Sequence, residues 1–338
     1  MSTAPLDAPA LDVPADVPRR VVVRRSRADQ AYRWTTRLAA CTVLALLGAI
    51  GLYLLRRGYN AIDAVGWDFL TEDRWAPREG VIGVRGLLSG TVLVALIALA
   101  VAVPIALTGA LYITEYAPAK LRRTLTSLVD LMAAVPSIVY GLFGFFLLQP
   151  QLIPVSRRLA ENAGFLPVFE VHKLEGSTRF ADGQFASSLF IAGVVVACMV
   201  IPICCAVMRE VFSQAPAGEK EGALALGATR WGVIRSVVLP FGRGGIIGGV
   251  MLGLGRALGE TIAVAIVLSF DTGFTIRVLE GTGSTISTLI ILKFGEADEF
   301  ALSALMAAGL TLFTMTLLVN VVAGWVIAKS RSGSGTDI

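Results

Sequence analysis

A chain of 338 residues that is 55% hydrophobic and only 16% charged has too little polar surface for a water-soluble protein of its length. Much of it must be solvated by lipid. A formal net charge of +4 gives little support to nucleic-acid binding, and one histidine (His172) with no zinc or redox spacing among four cysteines argues against a metal site. Cys41, Cys198, Cys204 and Cys205 all fall in apolar runs and read as small packing residues.

In chain order, the first 18 residues are rich in Pro, Ala and Asp. They lack the apolar core of a secretory signal and read as a disordered tail. The strongly basic "RRVVVRRSRADQAYR" follows, so residues 1–34 are expected to form a cytoplasmic tail. An all-α membrane domain is then expected over 35–330, with a second tail at 331–338. Six segments satisfy the need for about 20 mostly apolar residues. They are 36–55, 87–114, 125–149, 186–208, 242–269 and 301–328. Basic residues collect in the N-terminal tail, in "APAKLRR", in the 209–243 loop and at Lys329 and Arg331. The loops 56–86, 150–185 and 271–299 are mixed or acidic. This asymmetry places both termini in the cytoplasm. Arg56 and Arg57 run against it, but can snorkel at a helix end.

Pro104, Pro136 and Pro202 stand inside three of the segments. Each frees a backbone carbonyl that lipid cannot satisfy, which suits helices that pack together or line a wet path. The fifth segment pairs Gly244 with Gly248, Gly245 with Gly249 and Gly249 with Gly253, the small-residue spacing of a closely approaching partner helix. Its "GLGRALG" mimics a dinucleotide loop, but Leu258 fills the slot of the last glycine and the setting is lipid.

The same stretch carries Arg256 and Glu260. An isolated arginine at mid-membrane costs at least about 2.5–3.5 kcal/mol. On one continuous helix, residues four apart share a face, so Glu260 is expected to neutralise Arg256. An ion pair is rarely the cheapest filling for a bundle, so the pair points to a pathway more than to a clamp. A guanidinium fork fits the oxygens of an oxyanion, while Glu260 would hold Arg256 when the anion is absent. Thr261, Ser137 and Tyr140 could add hydrogen bonds, although membrane Ser and Thr more often bond their own helix's carbonyls. Asp130 reads as structural or gating, and Asn320 as an interhelical hydrogen bond.

Between the fourth and fifth segments, over 213–238, a short helix is expected from Gly218 to Leu226. Gly227 would end it in the left-handed conformation and Thr229 would cap a second helix. Partly exposed Ala223, Leu224 and Leu226 suit a helix-in-groove contact with a soluble partner; a helix lying on the bilayer is the alternative.

That loop resembles the cytoplasmic signature of ABC-importer permeases, E-A-A-x3-G-x9-I-x-L-P. Glu221, Ala223, Gly227, Leu239 and Pro240 match with the nine-residue gap intact, while Gly222 replaces an alanine and Val237 the isoleucine. "FLTEDRWAPREGVIG", "LVDLMAAVPSIVYGLFG" and "RALGETIAV" are similar to the phosphate-specific (Pst) permeases over about 35–330. Trp75 and Pro77 in the outer loop tilt the resemblance to the PstC type over the PstA type. Asp130 stands where that family is expected to have glutamate, and the outer loop "ENAGFLPVFEVHKLEGSTRFADGQ" is long for it.

The resemblance implies the type I ABC-importer permease fold in a bacterial plasma membrane, with no cofactor and no enzymatic activity. No G-x4-G-K-[ST] nucleotide loop occurs in the chain. The implied partners are a PstA-like second permease, a dimer of PstB-like ATPases and an external PstS-like phosphate-binding protein. Glu221, Gly222, Ala223, Gly227, Leu239 and Pro240 would then couple to the ATPase, and Arg256 and Glu260 would act in transport. The rivals are a permease for molybdate or sulfate, and a proton-coupled transporter working through Glu260. The internal repeats common in the latter are not seen.

Overall fold

The computed structural model describes residues 26–172 and 180–330, with side chains described through Trp325. Residues 1–50 and 51–338 form two units. In the first, every described residue after Ser26 belongs to helix α1, Arg27–Val65, and none is buried. The last eight residues of the expected N-terminal tail, 27–34, are therefore helical. Residues 1–25 and the expected tail 331–338 lie outside the described residues.

After α1 come α2 (Asp68–Thr71) and a two-stranded antiparallel hairpin, β1 (Trp75–Ala76) and β2 (Val81–Ile82). Trp75 pairs with Ile82, and the connecting turn closes on Gly80 at φ 73°, a left-handed position that suits glycine. Helix α3 (Arg85–Leu111) ends in a π turn, Tyr112–Tyr116, and leads to α4 (Ala119–Ala133). Helix α5 (Ser137–Phe143) runs through a π turn into α6 (Gln149–Ala163). Then follow α7 (Asp182–Phe185), α8 (Leu189–Ser213), α9 (Ala217–Ala225) and α10 (Arg230–Val233). A third π turn, Ile234–Val238, joins α10 to α11 (Leu239–Leu258). The chain closes with α12 (Ile262–Val267), α13 (Ile286–Lys293) and α14 (Glu299–Ser330).

Among the described residues six helical stretches are long and apolar enough to cross a membrane: Arg27–Val65, Arg85–Tyr116, Ser137–Ala163, Leu189–Ser213, Arg230–Leu258 and Glu299–Trp325. Four coincide with the expected segments. The third differs. The run 125–149 is not one helix, because α4 ends at Ala133 and Pro136 is the N-cap of α5 rather than an interior proline. Proline disfavours helical geometry in the residue before it and has no N–H to donate, so the helix must restart there. The membrane-length stretch is displaced to Ser137–Ala163, and the first part of the expected outer loop 150–185 is helical. The fifth also differs: its helix starts at Arg230 and stops at Leu258, with a separate α12 beyond. Pro104 and Pro202 are interior as expected.

The core is built where α3 packs along α8, the most extensive helix pair, and α8 in turn along α11. Ala98, Ala102, Ala106 and Ala110 of α3 are all fully buried, one small residue per turn, which lets helix backbones approach closely. The partner of the glycine face on α11 is α8. A Cβ at Gly253 would stand 2.6 Å from Cys204 Sγ and 2.8 Å from Val200 Cγ1, so only glycine fits without displacement. Gly245 meets Val211 in the same way, whereas Gly244 and Gly248 face open space. Cys204 and Cys205 are buried packing residues, Cys198 is half-buried and Cys41 is exposed on α1.

A second buried cluster joins Ala61, Leu87, Ile286, Leu289, Leu305 and Ala308. Thr91 ties it together. Its hydroxyl donates to the Leu87 carbonyl at 2.7 Å and accepts from the Ile286 N–H at 3.1 Å, at the first turn of α13. Both residues are almost completely buried, at 1% and 0% exposure.

Candidate functional site

The site is built on the interruption between α11 and α12. Gly259 caps α11 with φ −91° and ψ 1°, and two further residues separate the helices. Thr261 Oγ1 donates to the Gly259 carbonyl at 3.1 Å, satisfying one group freed by the break. Glu260 is 7% exposed, and its Oε1 accepts from the Ala263 N–H at 3.3 Å. The carboxylate therefore caps α12, where it compensates a free amide and suits the positive end of the helix.

The expected partnership of Arg256 with Glu260 is corrected by this geometry. Four residues apart share a face only on an unbroken helix, and the break turns Glu260 toward α12. Among the described residues no ion pair joins the two. Arg256 is exposed in the last turn of α11, its Nη2 3.3 Å from Met199 Sδ of α8. It lines an open groove of about 470 Å³ with Met251, Leu252, Gly255, Gly259, Glu260 and Asn320. Asn320, read from sequence as an interhelical hydrogen bond, is thus a groove residue contributed by α14. A neighbouring groove of about 370 Å³ shares Gly259 and adds Thr261, Ser287 and Ile290. Ser287 Oγ is buried with no hydrogen-bond partner. Sequence reading passed over it because α13 lies in a stretch taken for loop.

Helix α5 packs against α12, with Gly141 so close to Ala263 that a Cβ would stand 2.9 Å from its Cα. Tyr140 Oη donates to the Met132 carbonyl at 2.8 Å and so bridges the Pro136 break. Ser137 is the half-buried first residue of α5. The fold brings α5 to the break, but neither Tyr140 nor Ser137 lines the groove of Arg256.

The 213–238 loop folds as expected. Helix α9 occupies Ala217–Ala225, Gly227 has φ 86°, and Thr229 Oγ1 caps α10 by accepting from Gly232 N–H at 3.1 Å. Glu221 and Gly222 are exposed, Ala223 is half-buried, and Leu224 and Leu226 are 50% and 90% exposed. Leu239 and Pro240 start α11. At this end Lys220 Nζ meets Glu115 Oε1 at 2.7 Å, and Arg209 meets Asp130 at 3.2 Å, which gives Asp130 a structural partner. Arg122 donates to the Thr114 carbonyl at 2.8 Å. Glu115, Arg122, Arg209 and Lys220 line a cavity of about 320 Å³. Nothing in local sequence spacing foretold the Lys220–Glu115 pair, whose members are 105 residues apart. Among the described residues no group of three His, Cys, Asp or Glu could hold a metal ion.

Residues 102–332 match the family described as "Binding-protein-dependent transport system inner membrane component". A chain of the MetNI methionine ABC transporter in an inward-facing conformation has the same fold, at TM-score 0.51 and 15% identity, covering 76% of this chain and 100% of that one. The fold and the match define a multi-pass inner-membrane permease of a binding-protein-dependent ABC importer, a transport component rather than an enzyme. Such a component works with a solute-binding protein and an ATPase.

Among relatives, the phosphate transport system permease protein PstC 2 of Mycobacterium tuberculosis is 38% identical, over 98% of this chain and 100% of its own length. PstC of Haemophilus influenzae is 39% identical over 91% of this chain and 95% of its own. The chain belongs to the PstC family of permeases.

Proposed function

We propose that this chain forms half of a pathway for inorganic phosphate, with Arg256 as the transient counter-ion of the passing anion. The observation that carries the reading is the break at Gly259–Thr261, which leaves Arg256 exposed in a groove with no carboxylate among the described residues bound to it. Phosphate bears one to two negative charges near neutral pH, and the guanidinium offers it two parallel donors. Glu260 keeps a negative charge beside the groove, which weakens anion binding enough for release. Ser137, Thr261 and Tyr140 supply further hydroxyls. Those of Thr261 and Tyr140 must exchange a carbonyl partner for the anion, whereas among the described residues no such bond holds Ser137. High affinity then belongs to an external PstS-like binding protein, and a PstA-like permease supplies the other wall.

The end bearing α9 faces the cytoplasm in this reading, as do both termini, with residues 35–330 as the permease domain. The concentration of Lys120, Arg122, Arg123, Arg209, Lys220 and Arg230 at that end supports the orientation. Glu221, Gly222 and Ala223 with the exposed Leu224 and Leu226 dock into a PstB-like ATPase, while Gly227, Leu239 and Pro240 set the angle of α9 to α11. Two ATPase copies closing on ATP would displace the coupling helices and switch the side to which the groove opens. The phosphate relatives do not favour the molybdate, sulfate or proton-coupled rivals.

The test is uptake by the complete complex in vesicles. Arg256→Gln should lower ATP-driven phosphate uptake by roughly ten- to a hundredfold, the worth of a charged hydrogen-bonding group, while ATPase binding persists. Normal uptake by this variant would rule the role out.

A further inference from the structure

We infer, on the importer reading above, that the Lys220–Glu115 ion pair is the linkage through which displacement of α9 reaches the groove of Arg256. Helix α9 is loosely seated, with no buried residue. Among the described residues its side chains make one hydrogen bond or ion pair to the rest of the protein, from Lys220 Nζ to Glu115 Oε1 at 2.7 Å. That pair is sheltered, its side chains 22% and 15% exposed, so salt screens it far less than an open surface bridge. The nearby Arg209–Asp130 bridge has an Asp130 side chain that is 51% exposed, and it does not touch α9.

Glu115 sits in the π turn that ends α3. Such turns interrupt regular helical bonding and are places where register can shift. From there the contact chain is continuous. Helix α3 packs along α8, α8 packs along the glycine face of α11, and Met199 of α8 touches the guanidinium of Arg256. A push or pull on Lys220 therefore acts on the helix pair against which Arg256 rests. The competing route is the main chain itself, from α9 through α10 into α11. Lys220 and Glu115 are positioning residues; neither lines the groove.

The experiment places an environment-sensitive fluorescent amino acid at Leu252, an exposed groove residue, in the complete complex with its ATPase. The fluorescence shift on trapping with ATP and vanadate is read together with ATPase co-purification and phosphate uptake per ATP hydrolysed. Glu115→Gln and Lys220→Gln should each cut the shift and the uptake ratio at least fivefold while ATPase binding is kept. Lys220→Arg should retain both, and the exchange Glu115→Lys with Lys220→Glu should restore at least half of each. An undiminished shift in both neutral variants assigns transmission to the main chain and overturns the linkage. So does a loss that neither Lys220→Arg nor the exchange recovers, a loss of ATPase binding, or the absence of any shift in the unmodified chain. A normal pattern of shifts in a complex that moves no phosphate would reject the substrate reading and leave the linkage standing.

Discussion

The sharpest consequence of the α11–α12 break concerns the energy between Arg256 and Glu260. Two unit charges in contact at about 4 Å attract by roughly 4 kcal/mol at the effective dielectric of a protein surface. Breaking such a pair inside a bundle costs about 3–5 kcal/mol, because one charge is stranded. In the structure Glu260 is instead spent on the Ala263 N–H and Arg256 lies in an open groove. With no ion pair between them and Arg256 open to solvent, their attraction falls to the roughly 0–1 kcal/mol typical of solvent-screened charges. A double-mutant cycle of Arg256→Gln, Glu260→Gln and both together, read by denaturant unfolding of the purified permease, should therefore return a coupling below about 1 kcal/mol. Gln keeps an oxygen at the Ala263 amide, so the cap survives in every arm. A coupling of about 3 kcal/mol or more would mean that the two residues form an ion pair, and the geometry of the break would be refuted.

Thr91→Val keeps the shape of a buried side chain but orphans the Ile286 N–H, and should cost about 1–3 kcal/mol in the same unfolding assay. Faster hydrogen exchange at Ile286 would locate the loss. Tyr140→Phe removes one bond, to the Met132 carbonyl, and should cost about 0.5–1.5 kcal/mol of stability. The same lost hydroxyl should lower phosphate uptake by more than about twofold; uptake within about twofold of normal would confine Tyr140 to its bond with Met132.

Legibility in the sequence followed the range of the physics involved. Long apolar runs are a local signal, so the segments around 87–114, 186–208 and 301–328 lie where helices form. The coupling loop was equally readable, because Gly227 and Thr229 act through their own backbone neighbourhood. Hydrophobicity alone could not divide the third segment. Leu131, Ala134, Ile138 and Leu142 continue one apolar run across Pro136, and only the backbone restriction at proline cuts it. The fifth segment failed for a subtler reason. Of its paired glycines, Gly245, Gly249 and Gly253 do pack on α8 while Gly244 and Gly248 face open space, and the run 242–269 was read as one helix although Gly259 ends it. That single end changes the partner of Glu260 and therefore the electrostatics of the site. Asn320 and Ser287 were beyond reach for the opposite reason, since both join the groove region through helices remote in sequence.

The break itself can be tested by making it less favourable. Gly259 has φ −91° and the nearest atom to a Cβ there is the Gly255 carbonyl oxygen at 3.6 Å, so alanine fits the observed conformation without a clash. Alanine also favours helix over glycine by about 1 kcal/mol, through the backbone entropy that glycine must lose. The hydrogen bonds from Gly259 N–H to Gly255 at 3.3 Å and from Glu260 N–H to Ala257 at 3.4 Å are already long, weak continuations of α11. Gly259→Ala should therefore leave stability unchanged or slightly raised, while biasing the chain toward a continuous helix in which Arg256 and Glu260 share a face. A bias of about 1 kcal/mol is about a fivefold change in the population with a free Arg256. Phosphate uptake should fall by up to that factor. Full uptake in the alanine variant would mean that the interruption of α11 does not govern the availability of Arg256.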